Sequence, residues 1–443
     1  MKVSVTLLLI PAAFIFTMGA ATESIAFHNG GVGPCDGCHT MHNSFQGATI
    51  NGKTTSQTYL LRESDPSSTC LYCHEHQNDI GPTTFHISTP AAELLQGTPP
   101  KQLTPGGDFG WLRKTYTWYA SSSDPTLHSS PGDRHGHNIV AADFLYLADA
   151  TKTSAPGGTY PANNFSCTSC HDPHGKYRRN MDGSITTTGK PISDGGSFVS
   201  SPDPTSTTAV GAYRLLGGKN YQPRSLVGPY QFVNDPPAAI APNWPNRAED
   251  VTQTRVAYGS GMSEWCQNCH PTMHTVGGNL GPTNLQHASG SAAKFIQPYR
   301  DNYNKYISSG NILSTPDPSS SYLSLVPFEE GTSDYATLKT HAKTDDSYLA
   351  GPDASSQVTC LSCHRAHASG WDGIMRWNAE TSLIISNGTV STGSYAQEGQ
   401  AYQPYGQGRT ETEALRAYYN KPETKFSPNQ DTLCNKCHIG VYP

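Results

Sequence analysis

The sequence predicts a mostly irregular, loop-rich fold with few short helices and minimal strand, ordered by something other than a conventional side-chain core. Three observations carry this. Glycine and proline supply 42 and 33 of the 443 residues while charged residues make up only 14%, well under the roughly 25% of an average globular domain. Turn signals break the chain throughout, among them Pro105-Gly106-Gly107-Asp108, Pro156-Gly157-Gly158, Ser201-Pro202-Asp203-Pro204 and Thr315-Pro316-Asp317-Pro318, so little uninterrupted length remains for regular elements. Against disorder stand 23 Tyr, 13 Phe and 6 Trp, residues that a chain keeps in number only when it packs them. Helical periodicity is confined to 410–420 and 335–343, and the best strand is 111–119.

In chain order, the first feature is Met1-Lys2 followed by Leu7-Leu8-Leu9-Ile10 and Ala12-Ala13-Phe14-Ile15-Phe16, ending in small residues at Ser24 and Ala26. One positive charge, a short apolar run and a small-x-small site read as a secretory signal peptide over 1–26. Cleavage after Ala21 is the second choice. Pro11 interrupts the run, which is shorter than the ~20 residues of a membrane span, and no later segment is long and apolar enough to span.

An exported chain with 12 Cys invites a disulfide reading, so the spacings must decide. The pairs are Cys35/Cys38, Cys70/Cys73, Cys167/Cys170, Cys266/Cys269, Cys360/Cys363 and Cys434/Cys437, and each is followed at once by a histidine: His39, His74, His171, His270, His364 and His438. Disulfides have no use for a histidine at a fixed offset, and a zinc site needs two pairs brought together instead. Cys-x-x-Cys-His is the c-type haem attachment signature: two thioethers tether the porphyrin and the adjoining imidazole becomes an axial ligand. Six covalently bound haem c groups follow. With only 35% hydrophobic residues the chain cannot offset the entropy of ordering so much loop, so this is a multihaem cytochrome c fold whose core is formed by six haems. No linker marks a boundary, and 27–443 reads as a single hexahaem domain.

Eighteen histidines less six proximal ligands leave twelve, enough for a second imidazole on every iron. His42, His174 and His367 recur as Cys-x-x-Cys-His-x-x-His. A three-residue tether cannot carry a side chain around the porphyrin, so each is placed to ligate a neighbouring haem. For the other three distal positions local context gives only a ranking: His137 beside an apolar stretch, His341 on a short helix, His86 between Phe85 and Ile87, then His28 and His287. His274 can reach only a neighbouring haem, His76 is crowded by His74, and His128 and His135 lie in a Ser/Pro/Gly/Asp-rich stretch that reads as exposed loop.

Several segments then carry a resemblance. They are Phe27-His28-x-Gly30-Gly31 leading into Cys35-x-x-Cys38-His39-Thr40-Met41-His42, Thr104-Pro105-Gly106-Gly107-Asp108-Phe109-Gly110-Trp111, His171-Asp172-Pro173-His174-Gly175, Gly261-Met262-Ser263-Glu264-Trp265-Cys266 and Cys360-Leu361-Ser362-Cys363-His364-Arg365-Ala366-His367. Together they resemble the extracellular, filament-forming hexahaem cytochromes of metal-reducing bacteria, the OmcS-type nanowire family, over nearly the whole of 27–443. Departures concentrate in 119–135 and 384–411. The resemblance implies a secreted homopolymer in which bis-histidine haems form one continuous chain, passing electrons to metal oxides, electrodes or partner cells. It also implies that His42 ligates a haem of the adjacent subunit, the one held by Cys360, Cys363 and His364; ligation within its own chain is the alternative.

Function divides between a conduit, which needs every iron saturated, and a multihaem oxyanion reductase, which needs an open coordination position. All six motifs end in histidine and second ligands exceed demand, so an electron conduit and not an enzyme is expected; a monomeric periplasmic shuttle is the third reading. A net charge of −6, made more negative by haem propionates, excludes nucleic acid as a partner.

Overall fold

The structure, a computed structural model, describes residues 35–41, 44–45, 48–49, 58–79, 85–121, 124–224, 226–243, 254–273, 287–306, 313–381, 383–386, 406–421 and 429–438. The expected signal peptide, His28, His42 and His274 lie outside these residues.

Each Cys-x-x-Cys-His segment is one helical turn. The histidine N–H donates to the first cysteine's carbonyl at 2.8 Å for His39 and at 3.0 Å for His171, His270, His364 and His438. The first motif forms α1 (Cys35–Cys38), the second closes α2 (Pro66–His74), and the fourth follows α3 (Met262–Cys266). Asp65 starts α2 by accepting from Ser68 N at 2.8 Å, with Pro66 at the first helical position, where its missing N–H costs nothing. Three further helices are α4 (Gln297–Lys305), α5 (Tyr335–His341) and α6 (Glu411–Ala417). The last two fall where periodicity placed them: Asp334 caps α5, and Thr410 with Glu413 forms a reciprocal capping box on α6. Helix α4 was not expected, because its sequence is polar apart from tyrosines.

The strand expected over 111–119 begins later. Asp108 accepts from Gly110 N at 2.7 Å and starts a 3-10 turn over Phe109–Arg113, so extended backbone runs only from Tyr116 to Ser121, paired antiparallel with Asp124–Ser130 and with Trp118 opposite His128. The described sheets hold two or three strands each. No helix among the described residues is long and apolar enough to cross a membrane.

The apolar core is divided, and its parts end on anchor cysteines. The largest cluster buries Trp111, Trp371, Trp377, Tyr303, Phe328 and Tyr418 among others, with Cys363, Cys434 and Cys437 packed on it. Smaller clusters carry Cys170 with Cys266, Cys167, and Cys269. His135 corrects the exposed-loop reading: it is 0% exposed, bonded to Ser130 Oγ at 2.7 Å and Trp111 O at 3.0 Å, which draws the end of the hairpin into the core.

Candidate haem sites

The first, third and fifth motifs sit in one and the same backbone cradle. His39 Nδ1 donates to Tyr59 O at 3.1 Å, His171 Nδ1 to Arg214 O at 2.7 Å and His364 Nδ1 to Gly373 O at 2.9 Å. The residue after each acceptor, Leu60, Leu215 or Ile374, receives the N–H of the residue after the histidine: Thr40 at 2.7 Å, Asp172 at 2.7 Å, Arg365 at 2.9 Å. The third residue after each acceptor, Arg62, Gly217 or Arg376, donates its N–H to the second cysteine's carbonyl, at 3.0 Å to Cys38, 2.9 Å to Cys170 and 2.8 Å to Cys363. In all three the acceptor and its successor are left-handed, with φ of 60° and 56°, 51° and 56°, and 66° and 60°. For the non-glycine residues that conformation costs ~1–2 kcal/mol each, a cost retained three times because it aims the carbonyl at the imidazole.

The second and fourth motifs use the same chemistry with other parts: His74 Nδ1 donates to Phe85 O at 2.9 Å and His270 Nδ1 to Pro156 O at 2.8 Å. A carbonyl can only accept, so Nδ1 carries the proton and the Nε2 lone pair is left for a metal.

Four of the six proximal imidazoles face a second one. His39 faces His174 with ring centres 6.3 Å apart, His171 faces His367 at 6.3 Å, His270 faces His137 at 6.1 Å and His438 faces His287 at 5.8 Å. An imidazole nitrogen lies about 1.1 Å from its ring centre and about 2 Å from a metal it ligates, so two rings trans on one iron have centres about 6.2 Å apart. The residues present therefore fit haem. Burial pushes His137 down to about 4 and His367 to about 3, so both are neutral and able to ligate at neutral pH.

The six motifs lie in single file in sequence order. Cys38 lies near Cys73 and Cys70 near Cys167. Cys170 lies near Cys269, Cys266 near Cys360, and Cys363 near Cys434. The junctions of the second with the third motif and of the fourth with the fifth are built alike: Cys167 N donates to Ser67 Oγ at 3.1 Å and Cys360 N to Ser263 Oγ at 3.0 Å, each serine standing three residues before the even motif's first cysteine.

Two expected distal candidates face no motif histidine among the described residues. His341 Nδ1 bonds Glu330 at 2.5 Å and its ring lies on Tyr348 at 4.2 Å. His86 is bonded to Asp79 at 2.5 Å and stacks on His76 at 5.6 Å, not on His74. His287, ranked behind both by local context, is the one opposite His438. Nothing in Leu285-Gln286-His287-Ala288 signals this; only its position relative to the motifs does.

Thioether anchors, carbonyl-oriented proximal imidazoles and opposed second imidazoles define a multihaem c-type cytochrome. No family model matches the chain. It is 53% identical over 425 residues, 95% of each chain, to the C-type cytochrome OmcS of Geobacter sulfurreducens. It superposes on the cryo-EM structure of OmcS nanowires from that organism with a TM-score of 0.86 at 53% identity, covering 94% of this chain and 100% of that one. Against the Outer Membrane Cytochrome S filament the TM-score is 0.85 with the same coverage. The chain belongs to the OmcS family of c-type cytochromes.

Proposed function

We propose that this chain is an extracellular electron conduit that polymerises into a conductive filament, with 1–26 a signal peptide, 27–443 one hexahaem domain, and no catalytic site. The observation that carries the reading is the set of four imidazole pairs spaced for an iron between them. Haem supplies the one-electron chemistry. The chain's own residues saturate each iron, so no substrate binds and little rearranges when an electron passes. The oxyanion-reductase alternative needs an open iron, and the opposed pairs argue against one at these four sites.

The pairs obey a rule with a period of two motifs. The x-x-His of the third motif, His174, serves the first haem, and that of the fifth, His367, serves the third. Continued across a subunit boundary, the x-x-His of the next subunit's first motif, His42, serves the fifth haem. Even haems take a histidine from the segment before the preceding odd motif: His137 for the fourth, His287 for the sixth. By the same rule His28, before Cys35, serves the second. The rule supports His28 and His42 without appeal to local context, and it makes polymerisation and saturation of the fifth iron one event. It also favours the filament over a monomeric shuttle.

His42→Ala tests this. Expected are soluble subunits with six haems attached, one of them high-spin and open to CO or cyanide, and no filaments under the electron microscope. Normal filaments from the variant would refute the intersubunit role.

A further inference from the structure

One short junction carries the second imidazoles given to two different haems. Three stretches of chain lie side by side in it: 106–107, 366–369 and 135–137. His367 N donates to Gly106 O at 2.7 Å, His137 N to His367 O at 2.9 Å and Ser369 N to His135 O at 2.8 Å, and Gly136 is bridged antiparallel to Ala368. His367 stands opposite His171 of the third motif and His137 opposite His270 of the fourth, so the two histidines are joined backbone to backbone. A further bond doubles the link, from His137 Nδ1 to Ala366 O at 2.7 Å, and such a bond fixes both the tautomer and the orientation of the ring. Each ring is also backed by a phenylalanine: Phe109 stacks on His367 at 4.8 Å and Phe165 on His137 at 5.3 Å. Both phenylalanines pack in the one apolar cluster that holds Leu71, Ile139 and Tyr146.

The stretches meet too closely for side chains between them. A Cβ at Gly136 would lie 2.5 Å from His367 O and 2.6 Å from Ala368 Cβ, and one at Gly107, where φ is 94°, would run into Ala368 O. Glycine is the residue that lets backbones approach in this way. Ala368 itself is 0% exposed.

We propose that this junction locks the second imidazoles of the third and fourth haems into one unit, which makes Gly107, Gly136 and Ala368 positioning residues for the electron step between those haems. None of the three touches an iron; each acts through His137 or His367. Turning either ring about its iron pulls on a backbone bond that holds the other. The plane of an axial imidazole orients the iron orbitals that carry the electron, so a fixed relation between the two rings keeps the step from the third haem to the fourth constant from subunit to subunit. The close packing of the junction is what resists thermal rotation of the pair.

The inference rests on the haem assignment proposed above, so haem content and spin state are measured alongside. Electron paramagnetic resonance of ferric filaments reads the junction, because the g values of a low-spin bis-histidine iron follow the angle between its two imidazole planes. Ala368→Gly removes a buried methyl without adding bulk, and it should shift the signals of two of the six haems and leave four in place. Gly136→Ala forces the stretches apart and should shift the same two further. Six low-spin haems per chain with any number of signals other than two shifted in Ala368→Gly overturns the inference. Fewer than six haems, or a high-spin iron, in the unaltered filaments overturns the assignment instead.

Discussion

The junction between the second and third motifs and that between the fourth and fifth are the same contact made by different means. In both, a serine hydroxyl receives the N–H of the odd motif's first cysteine, and a capping box closes the odd turn, Ser166 with Ser169 in one and Thr359 with Ser362 in the other. They part at the start of the even motif's helix. Helix α2 is capped by its own neighbour Asp65. Helix α3 begins at Gly261, with φ of 97°, and receives its cap from Glu329, whose Oε1 lies 3.0 Å from Met262 N and 3.4 Å from Ser263 N. A junction between motifs can thus be held by local or by tertiary parts, and the tertiary version brings a buried carboxyl with it. Burial raises Glu329 to about 7 despite hydrogen bonds from Gln357 and Thr359. Its neighbour Glu330 is held below the usual range: burial, which alone would raise it, is outweighed by His341 and Arg255.

The largest expected effect comes from removing one side of the second junction. Cys266→Ala with Cys269→Ala should lower the haem count from six to five and abolish long-range conduction, because the missing haem stands between the third and fifth in single file. Survival of conduction with five haems would break the single-file account. Next, Glu329→Ala leaves two N–H groups at the start of α3 uncapped and should cost ~1–3 kcal/mol, against about 1 kcal/mol for Asp65→Ala; denaturation of the holoprotein reads both.

How far the sequence discloses this follows from what each part is made of. The six motifs are legible because thioether chemistry fixes their spacing. Helices α5 and α6 are legible through Asp334 and through Thr410 with Glu413, as is the local cap at Asp65. The cap from Glu329 is not, since it lies far from α3 along the chain. Nor is the threefold cradle: what repeats is a backbone carbonyl on a left-handed residue, and Tyr59, Arg214 and Gly373 share no side-chain character. The opposed imidazoles are half legible. His174 and His367 follow from tether length, but His287 and His341 differ only in which of them stands opposite a motif histidine.

A pH series sharpens the contrast between junctions further. The ordinary carboxyl value is 4.5 and the folded value about 7, so between these pH values the folded state holds a proton that the unfolded state has released, and the stability tied to this group falls as pH rises through that window. Glu329→Gln should flatten that fall. The smallest effects belong to the shared part: Ser67→Ala and Ser263→Ala should each cost about 1 kcal/mol, equally, as measured by the same denaturation.

The central claim is that every iron in the assembled protein lies between two imidazoles. Electron paramagnetic resonance of the as-isolated ferric filaments tests it most directly. All six haems per chain should be low-spin with bis-histidine signatures, and cyanide or CO should leave the spectrum unchanged. A high-spin signal amounting to one haem in six in intact filaments would contradict the account.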